Sequence, residues 1–283
     1  MSNESALAAR VTALHGLAAG TPVPEDPIAV IDELLTKLES GKIRAAERRA
    51  DGTWRAVAWV KQGILIAFRF GAMADLSADS GAFSFVDKHT MPPRRFGPSD
   101  GVRIVPGGST IRRGTYVASG VVCMPPMFVN VGAWIGAGTM VDSHALVGSC
   151  AQIGERVHLS AAAQIGGVLE PVGASPVVIE DDAIVGGNCG VYEGTVVRAK
   201  AVLGAGVVLT RGTPVYDLVK ETVYRATADA PLEIPVGAVV VPGARAVTGK
   251  WGAEQGLSLQ TPVIVKYRDE RTDLATALEA WLR

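Results

Sequence analysis

Asp142 directly follows an aliphatic residue, Val141, in a slot that glycine fills at positions 136, 148, 154, 166, 186 and 204. A carboxylate there projects from a corner of the chain, where it can take a proton from a bound nucleophile. Such general-base assistance is worth ~10²–10⁴-fold in rate. The same residue can equally cap its own turn through the backbone, and position alone leaves both readings open. Three six-residue steps beyond Asp142 stands Ser160, which opens the run Ser160-Ala161-Ala162-Ala163 before Gln164. These small side chains can leave a groove for an extended ligand, or merely satisfy packing. Arg103, Arg112 and Arg113 offer guanidinium groups that pair carboxylates bidentately, although surface arginines are commonplace. Asn130 occupies a corner slot and can donate to a ligand or turn the chain.

The element that must position these groups is a repeat with a period of six. From Ile111 the step reaches Val117, Cys123, Val129, Ile135, Val141, Val147, Ile153, Leu159 and Ile165. It resumes at Ile179 and passes through Val185, Val191, Val197, Leu203 and Leu209 to Val215. Four residues after each aliphatic lies a small one, as at Thr115, Val121, Ala133, Thr139, Ala145 and Ala151, with Met127 the exception. A period of six fits neither a helix nor an alternating strand. It fits a parallel β-helix: three short strands and three corners make a triangular coil, and coils stack at the ~4.8 Å inter-strand spacing. Glycine after the aliphatic is expected to supply corner dihedrals. Between Ile165 and Ile179 the step is fourteen where two regular steps make twelve, so residues 168–177 are expected to leave the coil as a loop. Ile234/Ala238 and Val240/Ala244 suggest a last partial coil.

The flanks differ. Residues 4–20 and the stretch from Asp26-Pro27 to Ser40 read as helices, the second with an Asp cap, Pro at its first position and Ile31, Leu34, Leu35 and Leu38 on one face. Residues 42–59 read as a hairpin turning at Asp51-Gly52. Residues 261–268 read as a strand, and 272–283 as a helix carrying Leu274, Leu278, Trp281 and Leu282 on one side. The expected organisation is an α/β cap at 1–101, a β-helix at 102–245 and a short C-terminal extension at 246–283, in a mainly β protein.

Charge and composition exclude several classes. Lys and Arg total 27 against 28 Asp and Glu, a balance unsuited to general nucleic-acid or anionic-membrane binding. The N-terminus lacks a signal-peptide pattern and no apolar run approaches ~20 residues, so a cytoplasmic protein is expected. Cys123, Cys150 and Cys189 show no CxxC spacing, and His144 and His158 lie 14 apart, off the six-residue period. Neither a disulfide framework nor a zinc site, such as the three-histidine carbonic anhydrase site built on β-helices, is expected.

Several segments together resemble the tetrahydrodipicolinate N-succinyltransferases of lysine and diaminopimelate biosynthesis. They are SGKIRAAERRADGTW (40–54), VRIVPGGSTIRRGTYV (102–117), MPPMFVNVGAWIGAGTMVDSHALVGSCAQIGERVHLS (124–160), GGVLEPVGASPVVIEDDAIVGG (166–187) and VPVGAVVVPG (235–243). The hexapeptide repeat alone is shared by many acyltransferases; TMVDSHALVGSCAQIG combined with GGVLEP is far more specific. The resemblance implies a left-handed β-helix, an exception to the right-handed crossover rule, and a homotrimer with sites between subunits. It implies succinyl transfer from succinyl-CoA, a co-substrate rather than a permanently bound cofactor, to the amine of L-2-amino-6-oxopimelate, the opened form of tetrahydrodipicolinate. Asp142 matches the essential carboxylate of the MVD motif, and Arg103 the arginine that holds a substrate carboxylate. Asn130 and Glu193 are further substrate-binding candidates, and Ser160, Ala161 and Gln164 are candidates for binding CoA. One departure matters: many members carry a second acidic residue where this chain has Gly190, and Glu193 is the nearest carboxylate. A different acyl donor, an amino-sugar acceptor, or a non-catalytic solenoid are the competing readings.

Overall fold

The six-residue period folds as a β-helix of two-residue strands stacked in parallel register, left-handed and mainly β with a small helical N-terminal region. The structure is a computed structural model that describes residues 3–18, 20–77 and 84–268. Three faces recur in chain order. Face I holds Arg103–Ile104, Val122–Cys123, Met140–Val141, His158–Leu159, Ile184–Val185 and Val202–Leu203. Face II holds Thr110–Ile111, Phe128–Val129, Leu146–Val147, Gln164–Ile165, Gly190–Val191 and Val208–Leu209. Face III holds Tyr116–Val117, Trp134–Ile135, Gln152–Ile153, Val178–Ile179, Val196–Val197 and Glu233–Ile234. The second residue of each strand points inward, and with the small residue four positions on it forms one continuous core. Burying each Val, Leu or Ile contributes ~1.5–3 kcal/mol, so the column itself holds the coils together.

The corner glycines play a different part from the one expected. Left-handed backbone falls three residues after the inward aliphatic, at Gly114, Gly120, Gly132 and Gly138, but equally at His144, Cys150, Arg156 and Asn188. The glycines immediately after the aliphatic are instead places of close approach. A Cβ on Gly136 would lie 2.5 Å from the carbonyl carbon of Gly154 in the next coil. Stacking distance, and not dihedral freedom, selects glycine there.

The broken register is also larger than the repeat suggested. Ile153 pairs with Ile179 on face III, so Ile179 is the next inward residue after Ile165 and no rung is skipped between them. The extra chain forms a loop held by the N-terminal cap. Lys61, fully buried, donates from Nζ to the carbonyl of Ala174 at 2.5 Å, and Leu169 packs on the cap's core.

The cap comprises α1 (Asn3–His15), α2 (Pro27–Glu39), the hairpin β1 (Ala46–Arg48) with β2 (Trp54–Ala56), and α3 (Ala58–Phe70). Asp26 caps α2 by accepting from the Ile28 N–H at 3.0 Å, and Ile31, Leu34, Leu35 and Leu38 are buried as the pattern requires. Helix α3 is an addition to the sequence reading, which continued the hairpin through Trp59. Its β-branched and aromatic start favours a strand locally. Burial of Val60, Ile64 and Ala67 against α1 and α2 decides for helix. Gly63 permits the contact, since a Cβ there would lie 2.2 Å from Leu34 Cδ2. The cap's core runs on into Val131 and Cys150, so it sits on the corner between faces II and III.

At the other end, Ala238–Ala246 begins as a rung of face I and then leaves the coil as a hairpin with Ser258–Tyr267. Ala238 and Val240 are buried, but Ala244 is exposed in the hairpin, so the last partial coil ends earlier than the spacing implied. The strand expected at 261–268 starts instead at Ser258. The helix expected at 272–283 lies outside the described residues. Among the described residues no helix is long and apolar enough to cross a membrane.

Candidate active site

Asp142 occupies the corner between faces I and II. Its backbone N–H donates to Leu159 O at 2.9 Å and its carbonyl accepts from Ala145 N at 3.1 Å, which closes the turn. The side chain serves both purposes left open by its position. Oδ1 accepts from the Ser143 N–H at 2.7 Å, while Oδ2 lies 3.8 Å from His158 Nε2. Capping therefore uses one oxygen and leaves the other facing the imidazole. Met140 pairs with His158 across coils, so the histidine sits one rung above the outward residue just before Asp142's strand end. His158 is the group sequence reasoning passed over: its outward slot before inward Leu159 and its 18-residue offset from Met140 were available signals.

Ser160 stands directly above Asp142, and its backbone N–H donates to Val185 O at 2.9 Å. Ala162 N donates to Ser143 O at 2.8 Å, stacking the Ser160–Ala162 corner on the Asp142–His144 corner. Gln164 leans back over that corner, its Nε2 donating to the His144 and Ala162 carbonyls at 3.3 Å each. Ala161 is exposed beside them. Arg103 is exposed on the same face, with Val122 the one rung between it and Met140. Among the described residues no ion-pair partner holds its guanidinium. Arg103, Asp142, His158, Ser160, Ala161 and Gln164 thus share one edge of the solenoid.

Asn130 and Glu193 do not join them within one chain. Both lie at the corner between faces II and III, a full side of the triangle away. Asn130 Oδ1 accepts from the Val131 N–H at 2.9 Å and from Arg112 Nη1 at 3.3 Å, so it chiefly turns the chain. Arg112 also pairs with Asp87 of the strand Val86–Lys88, and Arg113 with Asp32 of α2 at 2.6 Å, so both arginines are fastened to chain that precedes the coil. Glu193 is exposed and accepts from the Arg211 N–H at 2.7 Å. It borders a cavity of about 790 Å3 between the loop at Glu170–Ser175 and the segment Ala228–Pro231. Gly190 lies beneath the ring of Tyr192: a Cβ at 190 would stand 2.5 Å from Tyr192 Cε2. The aromatic ring fills the space that a side chain at 190 would take.

Residues 16–70 match the family model described as the N-terminal domain of tetrahydrodipicolinate N-succinyltransferase, and residues 176–211 match the hexapeptide repeat of succinyl-transferase. A 2,3,4,5-tetrahydropyridine-2,6-dicarboxylate N-succinyltransferase of Bradyrhizobium diazoefficiens is 42% identical over 257 residues, covering 89% of each chain. Its namesake from Polynucleobacter asymbioticus is 40% identical over 92% of this chain and 91% of its own. A crystal structure from Campylobacter jejuni, described as a 2,3,4,5-tetrahydropyridine-2-carboxylate N-succinyltransferase, shares the fold with a TM-score of 0.52 at 18% identity. That likeness covers 88% of this chain, which spans 64% of the longer one. On this similarity across nearly the whole chain, the protein belongs to the tetrahydropyridine-dicarboxylate N-succinyltransferase family of acyltransferases.

Proposed function

We propose that this protein transfers the succinyl group of succinyl-CoA to the amine of L-2-amino-6-oxopimelate, giving the N-succinyl amide and free CoA in the route to diaminopimelate and lysine. The observation that carries the reading is 42% identity over 89% of the chain to a named N-succinyltransferase. In this reading the deprotonated amine attacks the thioester carbonyl, forming the C–N bond as the carbonyl electrons move onto oxygen. Oδ2 of Asp142 accepts the proton that the nitrogen must lose, and the tetrahedral intermediate collapses by expelling the CoA thiolate. His158, 3.8 Å from that oxygen, orients the carboxylate. Arg103 holds a substrate carboxylate, and the groove over Ser160, Ala161 and Gln164 takes the pantetheine arm. Gly190 leaves the single base at Asp142 to serve alone.

The working unit is a cytoplasmic homotrimer in which the Asp142 edge of one subunit faces the Asn130 and Glu193 corner of the next. That arrangement accords with their separation within one chain, and the three buried, unpaired cysteines suit a reducing compartment. The test is thiol release from succinyl-CoA with the tetrahydrodipicolinate acceptor, on wild type and Asp142→Asn. Turnover by wild type and its loss in the variant are expected. Absence of thiol release from wild type, or an equal rate with acetyl-CoA, overturns the assignment.

A further inference from the structure

Face III lies opposite the Asp142 corner, and between it and the cap hairpin is a second cavity of about 410 Å3. Arginines Arg44 and Arg48 enter from the cap; Glu155 and Asp181 enter from corners of the coil. The Arg44 guanidinium is clamped. It lies 4.1 Å from the ring centroid of Trp134 and 5.2 Å from that of Trp54, and Nε donates to Gln152 Oε1 at 2.5 Å. Its Nη1 and Nη2 reach no hydrogen-bond or ion-pair partner among the described residues. Burial pushes this guanidinium down to about 10, with the Asp181 carboxylate opposing the shift, and it remains a cation at neutral pH.

Asp181 is its counterpart. Oδ1 accepts from the Glu155 N–H at 2.8 Å, while Oδ2 has no partner among the described residues. Arg44 and Asp181 feel each other's charge without closing to an ion pair. The other charges are engaged in full or in part, Arg48 through Nε alone, 3.6 Å from Glu180 Oε1. Glu180 accepts from Trp54 Nε1 at 3.0 Å and Arg198 Nη1 at 2.9 Å, and Glu155 pairs with Arg156 at 2.8 Å. The Arg44 fork and Asp181 Oδ2 are therefore unspent and line the same space; the Arg48 Nη atoms and Glu155 Oε1 are open too, on side chains more than half exposed. A simple anion would meet Asp181, and a simple cation would meet Arg44. A molecule carrying both charges satisfies both. The uncharged lining includes the accessible side chains of Ala118 and Ala137, suited to an aliphatic group, and the volume falls within the usual ~300–1,000 Å3 for small-molecule sites.

We propose that this cavity binds a free α-amino acid with an aliphatic side chain, its carboxylate on the Nη atoms of Arg44 and its ammonium on Asp181 Oδ2. The site stands on the far side of the solenoid from Asp142 and does not depend on the reaction catalysed there.

Isothermal titration of the full chain with L-leucine, 4-methylpentanoate and 3-methylbutylamine tests it, because the last two each delete one charge. Leucine is expected to bind wild type and Asp142→Asn equally, and each truncated analogue at least ~10-fold more weakly. Asp181→Asn keeps an acceptor for the Glu155 N–H; it is expected to retain its thermal transition while leucine falls to the affinity of 4-methylpentanoate. Arg44→Lys should weaken leucine and 4-methylpentanoate together. No leucine binding at millimolar concentration, equal binding of the analogues, or loss of binding in Asp142→Asn would each overturn the proposal. The last result would place leucine in the Asp142 site instead.

Discussion

Nε2 of His158 lies 3.8 Å from Oδ2 of Asp142 because the strands bearing them are stacked neighbours on one face, with Met140 opposite His158. The contact spans two coils, so it depends on stacking register and not on local chain geometry. It sets apart the oxygen of Asp142 that capping leaves available.

Replacing Asp142 with Asn should therefore lower kcat by ~10²–10⁴ with little change in KM. The amide oxygen still accepts from the Ser143 N–H, so the thermal midpoint should hold. Asp142→Ala loses that cap as well and should cost a further ~1 kcal/mol of stability. Steady-state kinetics beside thermal denaturation separate the two effects. Unchanged kcat in Asp142→Asn would refute its role as base.

Arg103 and Arg112 should behave in opposite ways. Arg103 is exposed and free of ion pairs among the described residues, so Arg103→Ala should raise KM for the dicarboxylate about tenfold or more at unchanged stability. Arg112 pairs with Asp87 and hydrogen-bonds Asn130, so Arg112→Ala should lower stability by ~1–3 kcal/mol. A drop in the thermal midpoint of Arg103→Ala without a KM effect would assign it a structural role.

Gly190 and Tyr192 should be coupled. A methyl at 190 meets the Tyr192 ring at 2.5 Å, so Gly190→Ala should cost ~1–3 kcal/mol, and much less once Tyr192 is replaced by Ala. A double-mutant cycle by urea denaturation should give a coupling above ~1 kcal/mol. Additive effects would mean that the ring does not rest on the glycine in solution.

Stability should carry an acid-range signature from Asp182. Arg156 hydrogen-bonds its carboxylate through two nitrogens, at 2.7 and 3.1 Å, and holds it below the usual range. A carboxyl with a depressed folded value adds stability above the unfolded value of ~3.9, and that stability disappears as pH falls through the folded value. The difference in thermal midpoint between wild type and Asp182→Asn should be full near neutrality and close as pH drops below about 4. A difference that stays constant through this range would exclude the linkage.

How far the sequence reaches depends on the range of the forces involved. The coil, its inward column and helix α2 with its Asp26 cap were all legible, because each rests on a short repeat of residue types along the chain. Asp142 and Ser160 at one corner followed from counting in coils, whereas Gln164 reaches that corner only through the bonds of its side chain. Helix α3 was not legible, since its own residues lean toward strand and only packing on α1 and α2 makes it helical. Neither was the true glycine rule, which reflects backbone approach between coils at distances no single rung encodes. The loop's anchorage by Lys61, the 3.8 Å approach of His158 to Asp142 and the open Arg44 fork beneath the cap hairpin join residues far apart in the chain. Tertiary structure alone decided those, because charge and hydrogen bonding act through space once the periodic core has brought the groups together.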